Sequence, residues 1–177
     1  HTPTRRQRQM CIRDSNNMIV RAGAGDVGIS VNYARDFKII HNTVILNGTF
    51  PFGAIEYRFA VSEGEIRNNL TDAPIWQRNS ASATLDSNVT DAQTDWFVDV
   101  STGDLHLRDS AAAAIDQATA STDVLEDMDG ETRPHNLSAD VGADEYHPDA
   151  DIPENGATPE LTPTPTVSVT PALELYL

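Results

Sequence analysis

Apolar and polar residues alternate with a period of two along much of the chain between residues 16 and 100. In Ile29–Asn32 and in Asp36–Ile39, every second residue is apolar. Successive side chains of a strand point to opposite faces of a sheet, so this alternation predicts strands with one face turned inward. Apolar residues at helical spacing are rare, and Gly, Asn, Asp and Ser interrupt the pattern about every ten residues. The pattern therefore predicts an all-β fold.

A repeated unit runs through the same region. Segments 39–44, 66–70 and 85–89 each place an Asn between two aliphatic positions, and Asn17 fits the second half of the same unit. The repeat asparagines form a column with spacings of 19 to 27 residues, which suits one coil of a β-solenoid. The column comprises Asn17, Asn42, Asn69 and Asn88.

Asparagine suits a tight corner between strands for two reasons. It tolerates the left-handed backbone conformation, and its side-chain amide bonds to nearby backbone groups. Where coils stack, each amide can also donate to the side-chain oxygen of its neighbour and form a ladder. A ligand-binding role is the alternative. Four asparagines begin Asn-x-Ser/Thr sequons: Asn47, Asn69, Asn88 and Asn136. We interpret these sequons as coincidental and not as glycosylation sites, because Asn69 and Asn88 are ladder positions.

Residues 16–147 resemble the right-handed parallel β-helix proteins with the pectate-lyase-like fold. Beyond the repeat, the series Gly103–Leu107, Ser110–Asp116, Asp127–Gly130, Arg133-Pro134 and Asp140–Glu145 is similar to the closing segment of many bacterial surface β-helix proteins. Leu105 replaces the usual aromatic residue, and Ala113 the usual proline. The resemblance implies about three to four coils in residues 16–100 and a C-terminal cap in residues 101–147.

A cap would cover the apolar cross-section and the open strand edge of the last coil. We expect the apolar residues of 96–107 to supply the last strand and its plug, with Asp116 and the later carboxylates facing water. The plug residues would be Trp96, Phe97, Val98, Leu105 and Leu107.

Both ends of the chain differ in composition from this body. Residues 1–15 carry four Arg and Cys11, and they resemble a translated sequencing-library adapter, so we expect them to be an unstructured artefact. A basic arm that binds nucleic acid is the alternative. Residues 148–177 hold six of the ten Pro and predict an extended, disordered Pro/Thr linker. We expect that a longer parent chain extended beyond both ends.

Charge narrows the range of partners. The chain has a net charge of −15, and without residues 1–15 it is −18. Such a surface repels nucleic acid and anionic membranes, and no apolar run approaches the ~20 residues of a membrane span. We therefore expect a secreted or cell-surface monomer that binds no nucleic acid and does not span a membrane.

A carboxylate cluster near the C-terminus is the best metal candidate, because Ca²⁺ binds several carboxylate and carbonyl oxygens. The spacing does not match an EF-hand loop. The alternative is a solvated acidic loop in which Arg133 pairs with a neighbouring carboxylate. The candidate ligands are Asp127, Asp129, Asp140, Asp144 and Glu145. The four histidines of the body show no metal-ligand spacing.

No residue is assigned a catalytic role. The resemblance implies a basic residue for lyase chemistry, and Lys38 could stand in a groove or simply face water. No motif in the chain matches the paired aspartates that act as acid and base in polygalacturonase-type hydrolases. Aromatic and Arg side chains on an outer strand face could bind carbohydrate, and for Trp76 core packing is the alternative. The carbohydrate candidates are Tyr33, Arg35, Tyr57, Arg58 and Trp76.

Two functions follow from this sequence. The first is an extracellular structural or adhesive β-helix module that contacts a glycan through an outer strand face. The second is the C-terminal part of a polysaccharide lyase or glycoside hydrolase whose active site lies in coils that precede residue 16. A full set of catalytic residues in those coils would favour the second function.

Overall fold

The computed structural model describes residues 12–21, 23, 27–48 and 52–148. These residues form twelve strands and one 3₁₀ turn, so the fold is all-β as predicted. The strands are β1 (Arg13–Ser15), β2 (Met18–Val20), β3 (Ile29–Asn32), β4 (Arg35–Ile40), β5 (Thr43–Ile45), β6 (Ile55–Arg58), β7 (Glu63–Arg67), β8 (Leu70–Thr71), β9 (Ile75–Arg78), β10 (Ser82–Asp86), β11 (Phe97–Asp99) and β12 (Asp104–Leu107). The described part of the chain holds no helix that could cross a membrane.

The first ten strands form three parallel sheets that the chain enters in rotation. Their orders are β1-β4-β7-β10, β2-β5-β8 and β3-β6-β9, so each strand pairs with the strand three places later in the chain. Equivalent residues align across the sheets: Ile39 lies beside Ile66, and Ile66 beside Leu85. The parallel sheets, stacked in register, are compatible with a solenoid. β11 and β12 form a separate antiparallel pair.

The space between the three sheets is filled by the inward half of the alternating residues. Ile29 and Val31 are buried while Ser30 and Asn32 are exposed, as the period of two predicts. Each sheet contributes side chains to this first core, which includes Phe37, Ile39, Val44, Ile55, Tyr57 and Ile66.

The repeat asparagines form a continuous hydrogen-bonded ladder. The Nδ2 of Asn17 donates to Oδ1 of Asn42 at 2.8 Å, that of Asn42 to Asn69 at 3.0 Å, and that of Asn69 to Asn88 at 2.9 Å. Asn42 and Asn69 are fully buried. Buried amides need such partners, so the ladder satisfies polar groups that the close stacking of coils removes from water.

The left-handed backbone conformation falls one residue before each ladder position, not on the ladder asparagine as expected. Asn16, His41, Asn68 and Ser87 have φ between 47° and 57°. The turn into the next strand occurs at these preceding residues. The backbone N–H of the ladder asparagine also donates to the next ladder oxygen, as in Asn42 N–H to Asn69 Oδ1 at 3.0 Å.

Residues 96–147, which we term the C-terminal unit, build a second core against the outer face of the β2-β5-β8 sheet. Ile45 and Leu70 point outward from that sheet and pack with the buried apolar residues of the unit. Hydrogen bonds tie the unit to several coils: Asn16 Nδ2 donates to Glu126 O, the Ala143 N–H donates to Thr43 Oγ1, and Asn68 Nδ2 donates to Thr119 O. The unit therefore runs along the side of the stack.

This placement corrects the expected cap. Phe97, Leu105 and Leu107 are buried, but against the side of the sheets, and the inward-column Leu85 of β10 remains 47% exposed. Four of the later carboxylates are buried instead of facing water, because donors of the C-terminal unit enclose them: Asp127, Asp140, Asp144 and Glu145.

The predicted boundary at residue 15 also needs correction. Residues 13–15, which we expected to be unstructured, form β1 and pair in parallel with β4. Ile12 packs against the first core, and its carbonyl accepts the Lys38 N–H at 2.8 Å. Backbone pairing along an open sheet edge stabilises these residues whatever their side chains. Residues 1–11, and the linker after Pro148, lie outside the described residues.

Candidate functional site

The outer face of the β3-β6-β9 sheet carries a regular array of polar and aromatic side chains. The strand register brings the outward residues into two rows across the sheet. One row comprises Ser30, Glu56 and Trp76, and the other comprises Asn32, Arg58 and Arg78. The inward residues of β3 and β6 alternate with these rows and belong to the first core, as does Ile75 of β9.

Two stacked aromatic pairs lie on this face. Tyr33 and Phe59 stack with ring centroids 4.1 Å apart and planes 8° apart, while Phe52 and Trp76 stack at 5.2 Å and 18°. Tyr33 is 68% exposed and Phe52 36% exposed. Trp76 thus lies on the outer surface, half-buried, instead of in the core. We term Tyr33, Phe52, Arg58, Phe59, Trp76 and Arg78 the aromatic face.

Two guanidinium groups are held beside these rings by one buried carboxylate. Arg78 Nη1 lies 2.7 Å from Glu56 Oε2, and Arg58 Nε lies 3.4 Å from Glu56 Oε1. The Glu56 side chain is only 4% exposed. Arg58 stands over the Phe59 ring at 5.1 Å and Arg78 over the Trp76 ring at 5.0 Å, within the range of cation–π attraction. The side chains of the aromatic face are therefore held in fixed positions.

The aromatic face includes three of the five predicted carbohydrate residues: Tyr33, Arg58 and Trp76. The prediction that Tyr57 contacts carbohydrate was wrong. Its ring points inward, is 4% exposed and packs against Phe37 at a centroid distance of 6.3 Å. An inward position of β6 cannot meet a ligand on the outer face. Arg35 is exposed at the start of β4, on a different sheet, where its backbone is in register with Glu63 of β7. Sequence reasoning missed Phe52 and Phe59, which lie beyond the repeat unit.

A concave surface crosses the outside of a different sheet, over β4, β7 and β10. It has a volume of about 460 Å³ and is lined by Asp36, Lys38, Glu63, Glu65, Ser82 and Thr84 among others. Lys38 does line this groove, but its Nζ lies 2.9 Å from Asp123 Oδ2 of the C-terminal unit, which also binds Arg67. The lysine charge is thus engaged by a structural ion pair instead of being held ready for a substrate.

Four of the five predicted calcium ligands accept backbone N–H groups inside the C-terminal unit: Asp127, Glu145, Asp140 and Asp144. Asp127 Oδ1 accepts the N–H groups of Asp129 and Glu131, and its Oδ2 accepts that of Glu145. Glu145 Oε2 binds Arg133 Nη1 at 2.9 Å, and both side chains are 1% exposed. Arg133 also donates to two backbone carbonyls of the loop 140–145. This network matches the alternative prediction in one respect, because Arg133 pairs with a neighbouring carboxylate. It differs in another, because the loop is buried and not solvated.

Asp140, the third of these carboxylates, accepts the N–H groups of Asp116 and Tyr146. Burial raises the pKa of Asp140 to about 6, although these two donors stabilise its charged form. Asp140 therefore joins two loops of the C-terminal unit. The two remaining calcium candidates, Asp129 and Asp144, lie near the imidazole of His106.

His41 connects the corner column of the coils to the C-terminal unit. Its Nδ1–H donates to the Asp140 carbonyl at 3.0 Å, and its Nε2 accepts from Asn68 Nδ2 at 2.9 Å. Complete burial, and then the nearby Arg133 charge, lower the pKa of His41 to about 3. His41 is therefore neutral in the folded chain.

This lowered pKa predicts a loss of stability in acid. Below pH 6.5 the unfolded chain takes up a proton at His41 that the folded chain refuses, so stability falls as the pH drops towards 3. Between pH 7 and pH 5 we expect wild type to lose about 2 kcal/mol relative to His41→Gln, which keeps one donor and one acceptor and does not titrate. Urea unfolding of both proteins at the two pH values measures this difference. An equal pH dependence in both proteins would contradict the assignment.

His106 lies in a second cluster of polar groups, on β12. Its Nδ1 is 2.5 Å from Asp104 Oδ1, and its Nε2 is 2.8 Å from Asp129 Oδ2. Although partial burial opposes the charged form, these carboxylates, with Asp144, raise the pKa of His106 to about 9. Sequence spacing did not reveal this cluster, because its members come from three separate segments.

We find no match to this chain among protein-family models, curated proteins or solved structures.

Proposed function

We propose that the chain is a right-handed parallel β-helix that serves as an extracellular adhesive module, and that its aromatic face binds a neutral polysaccharide. Three sheets entered in rotation, in parallel register, with an asparagine ladder at one corner, support the β-helix. Parallel crossovers are right-handed in nearly all proteins, which supports the handedness.

The observation that carries the binding function is the pair of aromatic stacks on one outer face. Aromatic rings offer flat apolar surfaces, and the faces of sugar rings that carry C–H groups pack on them. Trp76 lies three residues before the level of Phe59 along the strand direction, which separates the two stacks by about 10 Å at ~3.3 Å per residue. A surface of this length suits an extended chain of several sugars.

Backbone strain at the same place supports a role beyond packing. Tyr33 and Phe59 have φ of 57° and 71°, a conformation that bulky side chains rarely adopt. The equivalent position after β9 is Asn79, which adopts such values more readily. Strained residues that persist cluster at binding sites, and here the strain places the two rings in contact with each other on the surface.

The charge distribution favours a neutral glycan over a uronic one. Glu56 pairs with both Arg58 and Arg78, so the two guanidinium groups and this carboxylate together carry a net charge of only about +1. The chain as a whole carries −15, which repels a polyanion. Arg58, Arg78, Ser30 and Asn32 then serve as hydrogen-bond donors and acceptors for hydroxyl groups.

The test is retention of the chain by immobilised polysaccharides. We expect wild type to bind at least one neutral polymer of the cellulose, xylan or chitin type more tightly than pectin or alginate. Trp76→Ala removes one platform and should weaken that binding about tenfold, the equivalent of ~1.4 kcal/mol. Affinity electrophoresis or a depletion assay measures the change.

The matched control is Leu125→Ala, which deletes an apolar side chain that is 60% exposed on the C-terminal unit. We expect Leu125→Ala to bind as wild type does. Equal binding by Trp76→Ala and wild type, or retention by the anionic polymers alone, would contradict the proposal.

A further inference from the structure

The side of the C-terminal unit that carries β12 brings an imidazole and two carboxylates together. One side-chain ligand atom from each of His106, Asp129 and Asp144 lies within 4.8 Å of the others. His106 belongs to β12, while Asp129 and Asp144 belong to two different loops. This is the one group of this kind in the described part of the chain.

Each of the three residues is positioned by a bond to the surrounding structure. Asp144 is 2% exposed, and its Oδ2 accepts the Leu107 N–H at 2.7 Å. The Asp129 N–H donates to the buried Asp127 carboxylate at 2.9 Å. His106 Nδ1 lies 2.5 Å from Asp104 Oδ1, which leaves Nε2 directed at Asp129. These contacts position the side chains of His106 and Asp144 and the backbone of Asp129.

We propose that His106, Asp129 and Asp144 bind a zinc ion, with Asp104 orienting the imidazole. A carboxylate that accepts the Nδ1–H of a histidine orients the ring, and zinc binds Nε2 by displacing the proton that this atom shares with Asp129. Zinc accepts imidazole nitrogen and carboxylate oxygen ligands, and three protein ligands with water in a fourth position complete a tetrahedral site.

The distances fit zinc after a small movement. Bond lengths of about 2.1 Å place tetrahedral ligands about 3.4 Å apart. The His106 Nε2 to Asp129 Oδ2 distance is 2.8 Å, so the two atoms need to separate by roughly 0.6 Å. The Asp129 side chain is 47% exposed and can make that movement.

The chemistry of the donors favours zinc over calcium. Calcium binds six to eight oxygens. Asp127, Asp140 and Glu145, which could have completed such a set, already accept N–H groups of the protein. An imidazole nitrogen with few oxygens is typical of a zinc site. Zinc would join β12 to both acidic loops and stabilise the C-terminal unit, independently of the aromatic face.

The test is titration of the full chain with zinc chloride, followed by calorimetry and thermal unfolding. We expect one ion per chain and a rise in Tm of about 5–10 °C at a hundredfold excess over Kd, reversed by chelator. Calcium chloride should give a much smaller shift. His106→Gln and Asp129→Asn should abolish the zinc shift, and Asp104→Asn should weaken binding about 10–100-fold.

His147→Gln is the matched control, because His147 also lies beside a carboxylate, Glu131, at 3.1 Å. Cys11→Ser controls for the single thiol. Both should keep the full shift. Asp129→Asn changes a partly exposed side chain, so it tests the site even if His106→Gln impairs folding. No zinc shift in wild type, or a full shift in Asp129→Asn, would overturn the proposal.

Discussion

Replacing Arg133 by methionine is expected to destabilise the chain by about 3–5 kcal/mol, because it leaves the Glu145 carboxylate buried without its ion-pair partner. The change also removes donors from the backbone carbonyls of Asp140 and Gly142. These contacts hold the loop that covers the outer face of the β2-β5-β8 sheet. Urea unfolding, followed by tryptophan fluorescence, gives the free energy of unfolding.

A second change separates the ion pair from the packing around it. Arg133→Met/Glu145→Gln removes both charges of the pair, and the side-chain carbonyl of the introduced glutamine can still accept one of the two N–H groups that Glu145 binds. The double variant should therefore be more stable than Arg133→Met alone by at least about 1 kcal/mol. If the double variant is the less stable of the two, the buried carboxylate is not the cause of the loss.

Replacing Asn69 by alanine is expected to cost about 4 kcal/mol, because it interrupts the ladder at a fully buried position. The Asn69 side chain donates to Asn88 and to the carbonyls of Ile39 and Arg67, and it accepts two bonds from Asn42. Buried groups that lose their partners each cost about 1–3 kcal/mol. The midpoint of thermal or urea unfolding reports this loss.

Asn17→Ala is the control within the same ladder. Asn17 is only half-buried, so water can replace its bonds, and we expect a loss of about 1 kcal/mol. Equal losses for Asn17→Ala and Asn69→Ala would show that burial along the ladder does not determine its contribution.

The strands and the column of asparagines could be predicted from sequence because both depend on local repetition. The alternation around Ile29 and Phe37 assigns the inward face, and the Asn spacing gives the length of a coil. The position of the C-terminal unit depends on which apolar surface Phe97, Leu105 and Leu107 meet, and their sequence is equally suited to an end plug. The run Thr43–Leu46 did carry a signal for this position. Its apolar residues are consecutive and do not alternate, because the sheet there is covered on both faces.

The candidate site residues also divide into those that a local pattern predicts and those that only the tertiary fold brings together. Trp76 and Arg58 could be predicted because they stand at outward positions of regular strands. Tyr57 was wrong because a shift of one residue along a strand moves a side chain to the opposite face. The His106 cluster could not be found by spacing, since its ligands are separated by at least fifteen residues each and meet only through the folding of the C-terminal unit.

The most direct test of the central claim, a glycan bound on the aromatic face, is a fluorescence titration. The chain has two tryptophans, so Trp96→Phe leaves Trp76 as the sole reporter. A soluble oligosaccharide of the neutral polymer that retains the chain should change the Trp76 emission saturably, with a Kd that agrees with the retention assay. An emission unchanged at saturating oligosaccharide, in a variant that still binds the polymer, would contradict the account.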